Sequence, residues 1–208
     1  MVPPFQVQDE YKHLLRADQN SYGDIVGTRI DEENSGGFVK TSHRLLSQTL
    51  QTQSSSVKDR LRAASALPLT KQRELISVSN TVQYGPVLYL PQAAALAVVR
   101  LTRMKSLQAF YLARCINGSV ALVVGFLALC FARRARFLIF SLLTMPMTLF
   151  VMGSISQDAL PITGSALFMS IVSRILSSPC RSPSTTENGG LIILLVSLVC
   201  GGRSTQII

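Results

Sequence analysis

Two uncharged stretches, Cys115–Ala132 and Phe137–Gln157, separated only by Arg133-Arg134-Ala135-Arg136, constrain this chain more than any other feature. A hydrocarbon core about 30 Å thick takes roughly 20 helical residues to cross, and each stretch reaches that length, the first once Phe110–Ala113 are counted with it. The spacing predicts two membrane-crossing helices joined as a hairpin by a tight basic turn, which the positive-inside rule places in the cytoplasm. Pro146, inside the second stretch, should kink it by removing one backbone donor and crowding the preceding turn. A third apolar run, Ala159–Ser173, holds Pro161 and Gly164 and ends at Arg174, which makes it marginal in length. The predicted spans fall at about 107–132, 137–156 and 157–174. A fourth run, Leu191–Cys200, is 10 residues long between two glycine pairs, so a re-entrant piece or truncated helix is expected there.

Charge divides the 208 residues the same way: residues 1–114 hold 14 of the 20 Lys+Arg and 9 of the 11 Asp+Glu. Only 15% of the chain is charged, against about a quarter in soluble domains. The net +9 does not point to nucleic acid, because the basic residues are scattered among acids and apolar spans. The reading is an all-α, polytopic membrane helical bundle. A large extramembrane N-terminal loop with short helices covers residues 1–105, membrane helices cover 106–175, and a loop with a short apolar segment covers 176–208. The hairpin places everything before Arg114, and the loop Ser156-Gln157-Asp158, on one side of the membrane, opposite the Arg133–Arg136 turn. If that turn is cytoplasmic, both face outward. Against this, residues 1–30 contain no apolar stretch of signal-peptide length, and Arg100, Arg103 and Lys105 nearly balance the turn's arginines.

Within the polar region, Asp9, Glu10 and His13 share one face of a helix that Asp9 would cap. A carboxylate pair with an imidazole at that spacing suits a divalent metal or a general base, and equally suits a solvated helix start with an ion pair. Residues 31–75, rich in Ser, Gln and Thr with Gly36-Gly37, read as a loop excursion, partly disordered, with short helices such as Lys58–Ala66. Order returns at Asn80–Gln92, and Val87–Val99 followed by Arg100, Arg103 and Lys105 reads as an interfacial helix, or else a tilted short span. Arg114 stands one turn inside the first span with Asn117 a turn deeper, so Arg114 either snorkels to the interface or holds a lipid phosphate. Asp158 either starts the third helix behind Ser156 or faces the same outer site. The four cysteines show no metal or redox spacing, and no phosphate-binding loop or nucleophile elbow is present.

Four segments together resemble a bacterial family of predicted membrane proteins, domain of unknown function 2142. Pro3-Pro4-Phe5-Gln6-Val7-Gln8-Asp9-Glu10-Tyr11-Lys12-His13 is similar to that family's Pro-Asp-Glu-Pro-x-His opening, with Gln8 and Tyr11 where prolines stand in the pattern. Tyr84-Gly85-Pro86-Val87-Leu88-Tyr89-Leu90-Pro91-Gln92, Tyr111-Leu112-Ala113-Arg114, and Met145-Pro146-Met147-Thr148 with Ser156-Gln157-Asp158-Ala159 follow in order, so the resemblance covers about residues 3–175. It implies likeness to C-type glycosyltransferases, integral enzymes of the bacterial cytoplasmic membrane that use polyprenyl-phosphate sugars in cell-envelope glycan synthesis. Under that reading Asp9, Glu10 and His13 are catalytic, with a possible divalent metal, while Arg100, Arg103, Arg114 and Asp158 attend the lipid phosphate. Partners are membrane lipid and a polyprenyl-phosphate sugar. The resemblance also implies a helix before Met1 and further helices after residue 175, so the expectation is a truncated member. The alternatives are a non-catalytic or degenerate membrane protein, and a transporter, for which Arg114 and Asn117 supply few pore-lining groups.

Overall fold

The computed structural model describes residues 3–5, 7, 9–31, 34–51, 56–82, 84–102, 104–132, 135–176 and 189–190. Its elements in order are α1 (Glu10–Ser21), β1 (Thr28–Arg29), β2 (Ser35–Lys40), α2 (Thr41–Gln51), α3 (Val57–Ala66), β3 (Arg73–Ser77), α4 (Ser79–Val82), a 3-10 turn at Pro86–Tyr89, α5 (Leu90–Arg100), α6 (Ser106–Phe131), α7 (Arg136–Leu143), α8 (Pro146–Met152) and α9 (Ala159–Leu176). Arg103, Arg133, Arg134 and the run Leu191–Cys200 lie outside the described residues.

Helix α6 is the spine, 26 residues and about 39 Å long at the usual helical rise. Among the described residues it is the helix long and apolar enough to cross a membrane. Its two halves pack differently. The first half sits in the N-terminal region, where Ala109, Phe110 and Ala113 are fully buried with Leu14, Leu46, Tyr89, Leu96 and Val99. The second half turns Ala121, Gly125 and Ala128 inward, a stripe of small residues at three- and four-residue spacing. Small side chains let helix backbones approach closely, so α9 and α7 pack on this stripe through Ala159, Thr163, Ala166 and Leu143. The opposite face leaves Leu122, Val123 and Phe126 between 59% and 65% exposed, as a lipid-facing surface would.

The second apolar run is not one kinked helix. Pro146 ends the continuity instead: α7 stops at Leu143, Met145 is extended as the residue before a proline prefers, and α8 starts with Pro146 in its first turn. Thr144 and Thr148 donate their hydroxyls to the carbonyls of Phe140 and Leu142, adding side-chain bonds to the last turn before the break. Helix α8 ends at Met152, short of the predicted boundary at 156.

The all-α expectation also needs correction. The region read as a loop around Gly36-Gly37 forms an antiparallel sheet, β1-β2-β3, with β2 paired to β3 from Gly36↔Ser77 to Lys40↔Arg73. The glycines are the reason a strand fits there. A Cβ on Gly36 would lie 2.0 Å from the Ile76 carbonyl oxygen, and one on Gly37 would lie 1.9 Å from Nε2 of Gln19. The strand therefore approaches β3 at Gly36 and α1 at Gly37 only because it has no side chains at those two positions. Helix α3 matches the expected Lys58–Ala66 within a residue. Helix α5 packs between α1 and α6 through Ala93, Leu96 and Val99, and turns Leu90 and Val98 outward.

Gly36→Ala should destabilise the fold by about 1–3 kcal/mol, because a methyl group there displaces backbone. Gly37→Ala should cost less, since the end of the Gln19 side chain can move. Denaturation midpoints in detergent check the order, and equal losses would contradict the packing described.

Candidate functional site

The buried charge in the first turn of α1 determines the rest of the site. Glu10 is fully buried, and its carboxylate accepts four hydrogen bonds: from Arg114 Nε (2.8 Å) and the Ile155 backbone N–H (3.0 Å) on one oxygen, and from Arg114 Nη2 (2.7 Å) and the Phe5 N–H (2.9 Å) on the other. Arg114 also donates to the Pro3 carbonyl at 3.1 Å and lies over the Phe110 ring, 4.6 Å from its centroid. A bidentate guanidinium–carboxylate pair with every acceptor position filled is the geometry that makes a buried ion pair tolerable. Arg114 is 5% exposed and does not snorkel to the interface; it turns inward onto Glu10.

The chain is shaped around this pair. Phe5 has φ of 59°, a left-handed conformation that is rare for a bulky residue; its N–H is held by Glu10 and its ring packs on Phe110 (4.8 Å) and Tyr11 (6.2 Å). Asp9 is left-handed as well, with φ of 56°, and caps nothing with its side chain. It pairs with Lys12 at 3.2 Å and is 41% exposed, so it points away from Glu10 rather than joining it on one face.

His13 turns in a third direction. Its Nδ1 shares a 2.7 Å hydrogen bond with the Tyr89 hydroxyl, and its ring lies 6.5 Å from that of Tyr84. Burial pushes the imidazole below its ordinary value against the pull of Asp158, and burial likewise pushes Tyr89 well above its own, so the pair is neutral. Asp158 is exposed just ahead of α9, where its carboxylate accepts from Ser156 Oγ at 2.9 Å. Among the described residues no group of three or more His, Cys, Asp and Glu is arranged to hold a metal ion. Glu10 is saturated by donors and His13 is turned to Tyr89, so Asp9, Glu10 and His13 do not converge on one position.

Below the ion pair a buried amide relay joins three elements. Gln92 of α5 donates to Asn117 of α6 at 2.8 Å, and Asn117 donates to the carbonyls of Ser154 and Ser156 at 2.9 and 3.1 Å. The loop before α9 thus meets the N-terminal region against the first half of α6, while Arg136 follows that helix's far end. Tyr89, Gln92 and the 154–156 backbone were not among the residues expected from sequence as site residues. Tyr89, Gln92 and Ser156 nevertheless lie inside the quoted signature segments, which is the signal that finds them.

Two cavities meet at the pair. A groove of about 760 Å³ between α6 and α8 is lined mostly by apolar groups, including Tyr111, Leu122, Leu149 and Phe150, is opened by Gly118, Ser119 and Gly153, and reaches Arg114 at its inner end. A smaller cavity of about 300 Å³ is lined by Asp9, Glu10, Tyr11, Lys12 and Gln51. Glu10 and Arg114 stand between the two. Arg100 belongs elsewhere: it donates to the Ser21 carbonyl and stacks 4.1 Å from the Tyr22 ring centroid, at the far end of α1.

A family model described as Predicted membrane protein (DUF2142) matches residues 1–206. No curated protein and no solved structure matches the chain.

Arg114→Ala should destabilise the protein by about 3–5 kcal/mol, because it leaves Glu10 buried without its cation. Glu10→Gln combined with Arg114→Met should recover most of that loss in denaturant melts, and a loss equal to the single variant's would contradict a pairwise origin. His13 gives a pH signature. Its folded value lies below 6.5, so the unfolded chain takes up a proton first, and stability is full above pH 6.5 and falls as pH drops below it. His13→Gln should flatten the unfolding midpoint between pH 7 and 5, and an unchanged slope would show that His13 is not the titrating group.

Proposed function

Because the chain belongs to the DUF2142 family of predicted membrane proteins, we propose that it works at the outer face of a bacterial cytoplasmic membrane, as a multi-pass protein that transfers a sugar from a polyprenyl-phosphate carrier to a cell-envelope glycan. The observation that carries this reading is the apolar groove between α6 and α8 whose inner end is Arg114. A lipid carrier needs an apolar channel for its chain and a cation where its phosphate arrives, and the groove offers both on one helix. The exposed carboxylate of Asp9 lies on the far side of the Glu10–Arg114 pair, in the smaller cavity, where an acceptor hydroxyl can reach it. In transfer, the bond from the anomeric carbon to the phosphate oxygen breaks with its electron pair leaving on the phosphate. The acceptor oxygen bonds that carbon, and its proton passes to Asp9. Arg114 offsets the charge on the departing phosphate, and Glu10 is a positioning residue that holds Arg114.

The saturation of Glu10 supports a second reading, in which the pair is a structural latch and the protein is non-catalytic. One thiol separates the two. Cys115 is exposed and lines the groove, so the chain in lipid nanodiscs with Cys130, Cys180 and Cys200 replaced by Ser carries a reporter inside it. Undecaprenyl phosphate should slow alkylation of Cys115 about tenfold, while undecaprenol and bulk phospholipid leave it unchanged. Equal protection by the alcohol would remove Arg114 from phosphate recognition. Asp9→Asn should abolish sugar transfer without shifting the melting temperature, and retained transfer would exclude Asp9 as the base.

A further inference from the structure

The far end of α1 carries a different concentration of charge. Tyr22, just past the helix, has its ring between two guanidinium groups, Arg73 at 4.0 Å and Arg100 at 4.1 Å from the centroid, with the Lys40 ammonium at 5.8 Å. Beside it opens a cavity of about 710 Å³ lined by Lys40, Lys71, Arg100 and Lys105. None of the described residues lining this cavity is a carboxylate. The nearby acids are committed elsewhere: Asp24 to Arg73, and Asp18 to the Lys40 backbone N–H and to His43, 3.6 Å away.

Lys40 makes this more than a solvated basic rim. It is 3% exposed, at the end of β2, where burial pushes its ammonium below the ordinary lysine value; the charge of Asp18 opposes that shift, and the charges of Arg100 and Arg73 add to it. Buried cations are normally paired, and here one carboxylate, Asp18, faces a lysine that folding has gathered with three further cations around an open volume. The walls are fixed. Lys105 bridges Pro68, Ser106 donates its N–H to the Leu67 carbonyl, and Arg100 is held on the Ser21 carbonyl.

We propose that this cavity is a second anion site, built by Lys40, Lys71, Arg100 and Lys105 beside Tyr22, that takes a phosphate-bearing ligand separate from the one at the Arg114 groove. The separation follows from α1. Arg114 is bonded to Glu10 at the first residue of the helix and Arg100 to Ser21 at the last, so the two guanidinium groups sit about 16 Å apart along it at 1.5 Å per residue. One phosphate cannot touch both. The ligand's phosphate is either soluble, as on an anionic glycan, or carried on a lipid headgroup; the cavity recognises the same chemistry in each.

Thermal unfolding of the full chain in neutral detergent, titrated with inorganic pyrophosphate, tests the site, with sodium sulfate and sodium chloride at matched ionic strength as controls for salt effects. Pyrophosphate should raise the melting temperature beyond both controls. Lys71→Gln with Lys105→Gln should weaken its apparent affinity at least tenfold while leaving the melting temperature without anion unchanged, since both side chains are exposed. Lys40→Met should abolish the pyrophosphate response as well. Phosphatidic acid vesicles that bind the chain, against phosphatidylcholine vesicles that do not, would place the phosphate on a lipid, provided the same lysine variants lose binding. Pyrophosphate and phosphatidic acid both acting no better than their controls would overturn the proposal, as would a response that survives the lysine variants. Cys115 alkylation should not change with pyrophosphate, so failure of the groove reading and failure of this one remain distinguishable.

Discussion

A single buried carboxylate organises this molecule. Glu10 accepts from Phe5, Arg114 and Ile155, so three distant parts of the chain converge on one side chain. Taking two charges out of water costs several kcal/mol per ion, and the attraction between them offsets that only when the geometry is close and the remaining lone pairs are filled. Both conditions hold. The consequence is that the left-handed turn at Phe5, the start of α1, the depth of α6 and the loop before α9 are mutually dependent. Shifting any one of them opens an acceptor on Glu10 that nothing else is placed to fill.

Around that pair the fold separates two kinds of environment. On one side, Gly118 and Ser119 of α6 and Gly153 just past α8 open an apolar groove; on the other, Asp9 lines a smaller recess. The amide relay from Gln92 through Asn117 to the 154–156 carbonyls then pins the loop that closes the polar end, using uncharged groups where a further charge would need its own counterion. Helix α1 acts as a spacer, with the ion pair at its first residue and the cationic cavity at its last.

Much of this was legible in the residues, and the failures have physical causes. The long uncharged run predicted α6, because length and apolarity are local properties of a helix. The strands were missed because Gly36 and Gly37 are loop-formers by propensity; only the approach of Ile76 and Gln19 makes their missing side chains an asset. Arg114 was read against lipid, since nothing in its neighbourhood along the chain announces a partner 104 residues away. The helical spacing of Asp9, Glu10 and His13 suggested a shared face. The left-handed backbone at Asp9 and the competing partners Arg114 and Tyr89 send the three side chains apart. Pro146 was correctly seen as a disruption, but a proline at a helix start breaks the run where one inside a helix only bends it.

The contact between Glu10 and Ile155 spans 145 residues. Contacts of such separation form late, because the entropy of closing the loop must be met before the contact returns anything. The first turn of α1 therefore cannot reach its final state when it is made. Its acid must wait unpaired until α6 has been laid down and the chain has turned back past α8.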